Sequence, residues 1–143
     1  MLISYSVSFY INHSVRHPIF NNKFYTSSQI NCADVITVHT GDVGTSAVIS
    51  SKEDKSIGFA TIITRPNQNI LNPDYLSCYL NTEKHKRFAV SISTGDGRTN
   101  YNLGDYIQLN VPFPDLDEQK KLSKFIKDIK FDHLGAFTYS KEE

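Results

Sequence analysis

Two glycine-containing segments hold the residues whose types suggest chemistry. HTGDVGT, residues 39–45, carries two glycines three positions apart after an apolar run, and such a turn can present backbone N–H groups to a phosphate. It lacks the Lys-Ser/Thr pair of a nucleotide-binding P-loop, so a tight turn between strands is the better interpretation. His39 and Asp42 resemble a base and its orienting carboxylate, but no nucleophile stands at a recognisable spacing. We therefore expect His39 to be structural or ligand-facing.

The second segment is the polar loop STGDGRTN, residues 93–100, which holds Arg98 and Asn100. Arginine and asparagine are the side chains that can contact guanine and adenine edges through paired hydrogen bonds. Shortly before this loop, Lys84, Lys86 and Arg87 form a basic helix face that can hold phosphates. Each signal also has an ordinary interpretation as solvated surface. Neither assigns a function by itself.

Composition limits the classes of protein to which the chain can belong. Its 143 residues suit one domain, and its 39% apolar content is that of a folded globular protein. Lys plus Arg and Asp plus Glu number 15 each, so DNA binding would have to use local patches. Cys32 and Cys78 have no metal-ligand spacing, and we expect two free thiols in a reducing compartment and no cofactor or metal. Residues 1–11 lack the features of a signal peptide. The predicted location is cytoplasmic.

These segments must be positioned by a mixed fold. Strands are predicted at residues 2–11, 34–39, 47–50, 58–64 and 106–111, most of them paired in one sheet. Asn72 and Pro73 mark the start of a helix. A second short helix begins after residue 81 or 82, with Phe88 and Ile92 inward. The predicted fold class is α+β, with a mixed, largely antiparallel sheet and short helices, followed by a C-terminal amphipathic helix.

The C-terminal helix has the clearest pattern. Asp115 and Glu118 have the spacing of a capping box, which satisfies N–H donors at a helix start. Five lysines, between positions 120 and 130, lie on the rest of the helix surface, and Gly135 marks its expected end. At 100° per residue one narrow arc is apolar. We call this arc the apolar stripe, and it consists of Leu122, Phe125, Ile126 and Ile129.

Taken in order, these segments resemble the specificity subunits of Type I restriction-modification systems over roughly residues 28–125. In that family an Asp-hydrophobic strand enters a Gly-containing turn, as in residues 33–50, and a Pro-Asp/Glu-Tyr-Leu helix follows, as in NPDYLSCYLN, residues 72–81. A glycine-bearing loop before an Asn-Leu/Ile pair comes next, as in GDGRTNYNL, residues 95–103, and then a closing strand. The most specific feature is the junction PFPDLDEQKKL, residues 112–122, which leads into the family's long conserved helix.

The resemblance implies a non-catalytic subunit that reads half of a bipartite target in the major groove of double-stranded DNA. Its partners would be a methyltransferase subunit and, through it, a restriction subunit. The implied phosphate contacts are Lys84, Lys86 and Arg87, and the residues implied near base edges are Thr40, Arg98 and Asn100. The apolar stripe would pack in the family's helix pair and help to dock the methyltransferase. A homodimer through the same helix is a further option, and without any partner the stripe would cover the domain's own sheet.

The resemblance also implies a domain organisation. Residues 1–111 would be the target-recognition domain, residues 112–134 the junction and a truncated conserved helix, and residues 135–143 a tail. Family members normally carry two recognition domains and two long helices, so the chain corresponds to at most half a subunit. Residues before Asp34 match the family poorly. Two alternatives remain: a remnant that acts only as a protein-interaction module with a methyltransferase subunit, and a small enzyme that uses His39 and Asp42.

Overall fold

The structure, a computed structural model, describes residues 6–8, 29–57, 60–95 and 99–129. Its elements are β1 (Ser6–Ser8), β2 (Val35–Val38), β3 (Ser46–Val48), β4 (Thr61–Thr64), α1 (Pro73–Leu80), α2 (Glu83–Ile92), α3 (Leu103–Tyr106), β5 (Asn110–Pro112) and α4 (Leu116–Asp128). This is the α+β fold that the sequence predicts. No helix in these ranges is long and apolar enough to cross a membrane, and the same ranges hold no group of three or more His, Cys, Asp or Glu side chains suited to a metal ion.

Three of the predicted strands form one antiparallel sheet in the order β3-β2-β4. In the central strand, Ile36 is paired with Ala47 of β3 and with Ile63 of β4. Successive residues of a strand point to opposite faces, so Val35 enters the main core while Ile36 packs against a smaller cluster that includes Ile63. The predicted pairing of these strands is confirmed.

A buried carboxylate stands at the start of β2. The side-chain oxygens of Asp34 accept hydrogen bonds from Nε and Nη2 of Arg65, each at 2.8 Å, and one of them also accepts from the backbone N–H of Asn31. A buried charge is tolerated only with such pairing. The pair therefore links the residue before β2 to the residue that follows β4.

The main core lies between the sheet and the helices. α1 packs on β2 and β3, and the side-chain amide of Asn81, directly after α1, donates to the backbone oxygen of Ser46 in β3 at 2.7 Å. The same amide accepts from the Ser46 N–H at 3.1 Å, which satisfies the backbone of an edge strand. The buried apolar residues of this core are Val35, Val43, Ile62, Leu71, Tyr75, Leu76, Leu80, Ala89, Tyr101, Tyr106, Leu109 and Val111.

The helix starts predicted from residue types are confirmed. Asn72 accepts a hydrogen bond from the Tyr75 N–H at 2.9 Å, and Pro73 occupies the first turn of α1. Thr82 caps α2, and Asp115 accepts from the Glu118 N–H at 2.9 Å at the start of α4. The expected end of the last helix, Gly135, lies outside the described residues.

The predicted inward position of Phe88 is wrong, whereas Ile92 does pack against the core. Phe88 is 42% exposed, and α2 instead buries His85 and Ala89. The reason is a close approach: a Cβ at Gly44 would lie only 3.1 Å from the Cβ of Ala89. A phenylalanine ring does not fit such a contact, so the helix presents its small residue there.

The predicted strand over residues 106–111 is wrong in its first part. Tyr106 ends the short helix α3, and only Asn110–Pro112 form a strand. The helical turn carries the Tyr106 side chain into the core, where its hydroxyl lies 2.7 Å from that of Thr64. β5 pairs with β1, with Val111 opposite Val7. Of the first predicted strand, residues 2–11, the structure describes only β1.

Candidate nucleic-acid interface

The turn at residues 39–45 is held by its own backbone and by α2. Gly41 and Gly44 have φ of +95° and +87°, a region that L side chains rarely adopt. The N–H groups of Gly41, Val43 and Gly44 donate to the oxygens of Thr99, Gly41 and Val38 respectively. Because these donors are used within the protein, the turn does not offer them to a phosphate. The strand-to-strand interpretation of this segment is the one that the geometry favours.

The structure brings this turn against the polar loop that follows α2. Thr40 forms an isolated antiparallel bridge with Asn100, and its hydroxyl donates to Oδ1 of Asn100 at 2.8 Å. The Tyr101 N–H donates to the His39 oxygen at 2.8 Å, and Asn100 also exchanges backbone hydrogen bonds with Thr94. Two of the predicted DNA-contacting residues, Thr40 and Asn100, are therefore in direct contact. Arg98 lies outside the described residues.

His39 and Asp42 have different partners. Nδ1 of His39 lies 2.7 Å from Oγ1 of Thr40, and the Asp42 carboxylate accepts from the hydroxyl of Thr45 at 2.6 Å. Asp42 therefore does not orient the imidazole as the carboxylate of a catalytic pair would. This arrangement supports a structural or ligand-facing histidine over the enzymatic alternative.

The predicted basic face on α2 is largely accessible. Lys84 and Arg87 are exposed and Lys86 is half-buried. Nε of Arg87 pairs with the carboxylate of Glu83, one turn earlier, at 2.7 Å. An exposed pair of this kind is worth less than about 1 kcal/mol, so a phosphate can compete for the guanidinium. The face can hold phosphates, with Arg87 partly neutralised in the free protein.

A buried histidine that the sequence did not predict contacts Tyr101, the residue directly after the polar loop. His85 is 2% exposed, its Nδ1 lies 2.6 Å from the Leu80 oxygen, and its Nε2 lies 3.3 Å from the Tyr101 hydroxyl. Because a carbonyl only accepts, Nδ1 carries the proton and Nε2 accepts from Tyr101. Burial lowers the pKa of His85. The spacing of His85, Ala89 and Ile92 on one helix face was the available signal.

Gln119, in the junction segment, is a second buried residue that the sequence reasoning missed. Its Oε1 accepts from the Asn72 N–H at 2.8 Å, and its Nε2 donates to the oxygens of Ile70 at 3.0 Å and Pro114 at 2.8 Å. Nζ of Lys127 also pairs with Asp74 at 2.6 Å. These contacts hold α4 against α1. The only available signal was a glutamine within the Glu-Gln pair of the junction.

The contacts of α4 leave its apolar stripe outside the domain. The buried residues of the helix are Gln119 and Ser123, whereas Phe125 is 61% exposed. Leu122 and Ile129 are exposed as well, and Ile126 is half-buried. The stripe therefore does not cover the domain's own sheet. A group of apolar side chains this large on one helix is typical of a contact surface.

Comparison with known proteins gives one consistent result. Residues 10–132 match the family model described as Type I restriction modification DNA specificity domain. A type I restriction enzyme specificity subunit, MjaX, of Methanocaldococcus jannaschii is 30% identical over 94 residues, which cover 64% of this chain and 22% of that protein.

Two solved structures share the fold. The HsdS subunit from Thermoanaerobacter tengcongensis superimposes with a TM-score of 0.59 at 19% identity, over 71% of this chain and 27% of that one. The type I restriction-modification S subunit from M. genitalium gives 0.57 at 15% identity, over 74% and 27%. The chain thus spans about a quarter of the length of these relatives.

Proposed function

Because the chain belongs to the Type I restriction modification DNA specificity domain family, we propose that it recognises a DNA sequence for a restriction-modification system and catalyses no reaction itself. The observation that carries the proposal is the contact between the turn at residues 39–45 and the loop that ends at Asn100. It gathers polar side chains from two separate segments into one small surface. Such a constellation can read bases, whereas the catalytic pair of the enzymatic alternative is not formed.

We assign one kind of DNA contact to the basic face of α2 and another to the surface where the turn meets the loop. Phosphate contacts fix the register of a protein on the duplex, and base-edge contacts supply the sequence preference. The exposure of the α2 face supports the first role for Lys84, Lys86 and Arg87. For the second role we place Thr40, Arg98 and Asn100 near base edges, and Thr40 and Asn100 are in contact.

The partners that we propose are a methyltransferase subunit, a restriction subunit that associates through it, and a second copy of this chain. The exposed apolar stripe on α4 supports a helix-to-helix contact with either the methyltransferase subunit or a second copy of this chain. We retain residues 1–111 as the recognition domain, residues 112–134 as the junction and conserved helix, and residues 135–143 as a tail. We also propose a cytoplasmic location for the chain, because such a complex acts on DNA.

A second candidate function is protein interaction without specific DNA binding, through α4 alone. One observation favours it: the formal net charge is zero, so no long-range field attracts the chain to DNA. The two candidates make different predictions for a selection experiment, since only the first requires enrichment of a sequence.

The test is a binding titration with random-sequence duplexes at two salt concentrations, followed by sequencing of the bound fraction, with and without a Type I methyltransferase subunit. We expect a short fixed sequence to be enriched, and Asn100→Ala or Arg98→Ala to abolish its selection. Lys84→Ala should lower the slope of log affinity against log salt by about 1 without changing the sequence selected. Lys120→Ala, on the exposed part of α4, is the matched control. If no sequence is enriched even with the methyltransferase present, the chain does not recognise a specific DNA sequence.

A further inference from the structure

Three side chains form a hydrogen-bonded row where the turn meets the loop. The Thr40 hydroxyl donates to Oδ1 of Asn100 at 2.8 Å and lies 2.7 Å from Nδ1 of His39. The hydroxyl of Thr40 has one hydrogen, which it donates to Oδ1 of Asn100, and that amide oxygen carries no hydrogen to donate in turn. Nδ1 of His39 must therefore donate to Thr40. In the neutral imidazole this leaves Nε2 as a hydrogen-bond acceptor.

The two outer ends of this row carry unused hydrogen-bonding groups. Nε2 of His39 and the Nδ2 amide of Asn100 have no hydrogen-bond partner among the residues that the structure describes. Two other polar side chains of the fold have all such groups in hydrogen bonds. His85 uses both ring nitrogens within the protein, and Asn81 uses both its oxygen and its nitrogen. The row thus ends in one acceptor and one amide donor that its inner hydrogen bonds hold in place.

We propose that His39 is a base-reading residue whose acceptor nitrogen acts together with the amide donor of Asn100. This inference rests on the DNA recognition proposed above and extends it to a residue outside the predicted contact set. Because two hydrogen bonds separate the ends of the row, the acceptor and the donor do not lie side by side, and each must contact its own group on the DNA. In the major groove the acceptor of His39 can bind an amino group, which adenine and cytosine present, whereas guanine and thymine present acceptors there. His39 is therefore expected to select adenine or cytosine at one position of the target.

Thr40 is a positioning residue in this scheme and does not itself read a base. Its only hydroxyl hydrogen is directed at Asn100, and its oxygen accepts from His39. Removing the hydroxyl would leave both outer groups free to rotate, although neither would be lost. All three side chains are half-buried, so their orientation is set before DNA binds.

The experiment is selection from a randomised duplex library by the 143-residue chain with a Type I methyltransferase subunit. His39→Asn keeps an amide donor near the position of Nδ1 but has no atom at Nε2. We expect this variant to lose about tenfold of the preference for adenine or cytosine at one position and to keep the others. Thr40→Val should show the same loss at the same position, and Thr40→Ser, which retains the hydroxyl, should keep the wild-type preference. A purely structural role for Thr40 would weaken all positions equally.

The outcomes separate this inference from the function on which it rests. If the wild-type chain selects a fixed sequence and both His39→Asn and Thr40→Val select it unchanged, His39 does not read a base but DNA recognition stands. Loss of preference at a position where guanine or thymine is selected would also overturn the assignment. A wild-type chain that enriches no sequence at all overturns the proposed function. Urea denaturation of each variant identifies any that fail to fold, and Thr40→Val then carries the test in place of His39→Asn.

Discussion

At the scale of single residues, the two glycines of the turn at residues 39–45 have different roles. Both have positive φ, but a Cβ at Gly41 would meet no atom within 4 Å, whereas one at Gly44 would meet Ala89 at 3.1 Å and His85 at 3.5 Å. Gly41 is thus needed only for the shape of the turn. Gly44 also lets α2 approach the sheet, and through His85 and Tyr101 this contact extends to the loop at Asn100.

Alanine substitution should separate these two roles. The left-handed conformation costs an L residue about 1–2 kcal/mol, and overpacking adds about 1–3 kcal/mol. We therefore expect Gly41→Ala to lower the free energy of unfolding by about 1 kcal/mol and Gly44→Ala by about 3 kcal/mol, measured by urea denaturation. Equal losses in the two variants would mean that the contact between the turn and α2 does not limit packing.

His85 predicts a dependence of stability on pH. Burial lowers its pKa below the ordinary value of 6.5 in the folded protein, so the unfolded chain binds a proton first as the pH falls. The free energy of unfolding should therefore decrease as the pH drops below about 6.5, and level off below the folded-state pKa. Urea denaturation between neutral and mildly acidic pH measures this slope. In His85→Gln the slope should be smaller, although the variant is less stable at neutral pH, and an unchanged slope would assign the effect to other groups.

At the scale of the secondary-structure elements, α4 depends on one buried polar side chain. Gln119 contacts Asn72, Ile70 and Pro114, and thus joins the start of α4 to the segment that leads into α1. The Lys127–Asp74 pair lies farther along the same contact and is exposed to solvent. Because exposed ion pairs contribute little, Gln119 is the stronger determinant of where α4 lies.

Gln119→Ala should release this helix. Three backbone polar groups would lose their partner, and unsatisfied buried groups cost about 1–3 kcal/mol each before solvent enters. We expect unfolding free energy to fall by about 2–3 kcal/mol and the amides of α4 to lose protection in hydrogen exchange. Lys120→Ala, at the neighbouring exposed position, should change stability by less than about 0.5 kcal/mol. Unchanged protection of α4 in the glutamine variant would contradict this role.

The elements also show how far the sequence could predict the fold. Caps are local, so Asn72 and Asp115 correctly predicted the starts of α1 and α4, and the predicted start of α2 after residue 81 or 82 is also correct. The inward position of Phe88 could not be judged correctly, because it depends on Gly44, a residue distant in sequence. Tyr106 has a strand-like pattern, but its hydroxyl bonds with Thr64 and its turn is helical.

The candidate site was predictable in part for the same reason. Residue types correctly marked the turn and the loop as polar segments, yet the hydrogen bond between Thr40 and Asn100 spans 60 positions of the chain. The burial of Gln119 and His85 likewise arises from packing against other elements. The assignment of Arg98 to a base edge stays a prediction.

At the scale of the whole molecule, charge and apolar surface are distributed differently. Positive and negative side chains balance over the chain, with 15 of each, so the DNA binding proposed above would rely on local groups, namely the basic face of α2 and the polar surface where the turn meets the loop. Three of the six large apolar side chains that are exposed among the described residues, Leu122, Phe125 and Ile129, lie together on α4, whose polar contacts with α1 face the domain. The proposed DNA contacts and the proposed partner contact therefore lie on different elements of the molecule.

The exposed stripe predicts that the chain self-associates through α4. Pairing two such helices would remove Leu122, Phe125 and Ile129 from water, and each buried large apolar side chain contributes about 1.5–3 kcal/mol. We expect concentration-dependent dimers in sedimentation equilibrium. Phe125→Ser should shift the chain to monomer without reducing its free energy of unfolding measured at low concentration, because the ring is exposed in the single chain. Lys124→Ser, an exposed neighbour outside the stripe, should still dimerise. If the wild type is monomeric at every concentration but Phe125→Ser no longer co-purifies with a methyltransferase subunit that the wild type retains, the stripe serves that partner and not a second copy.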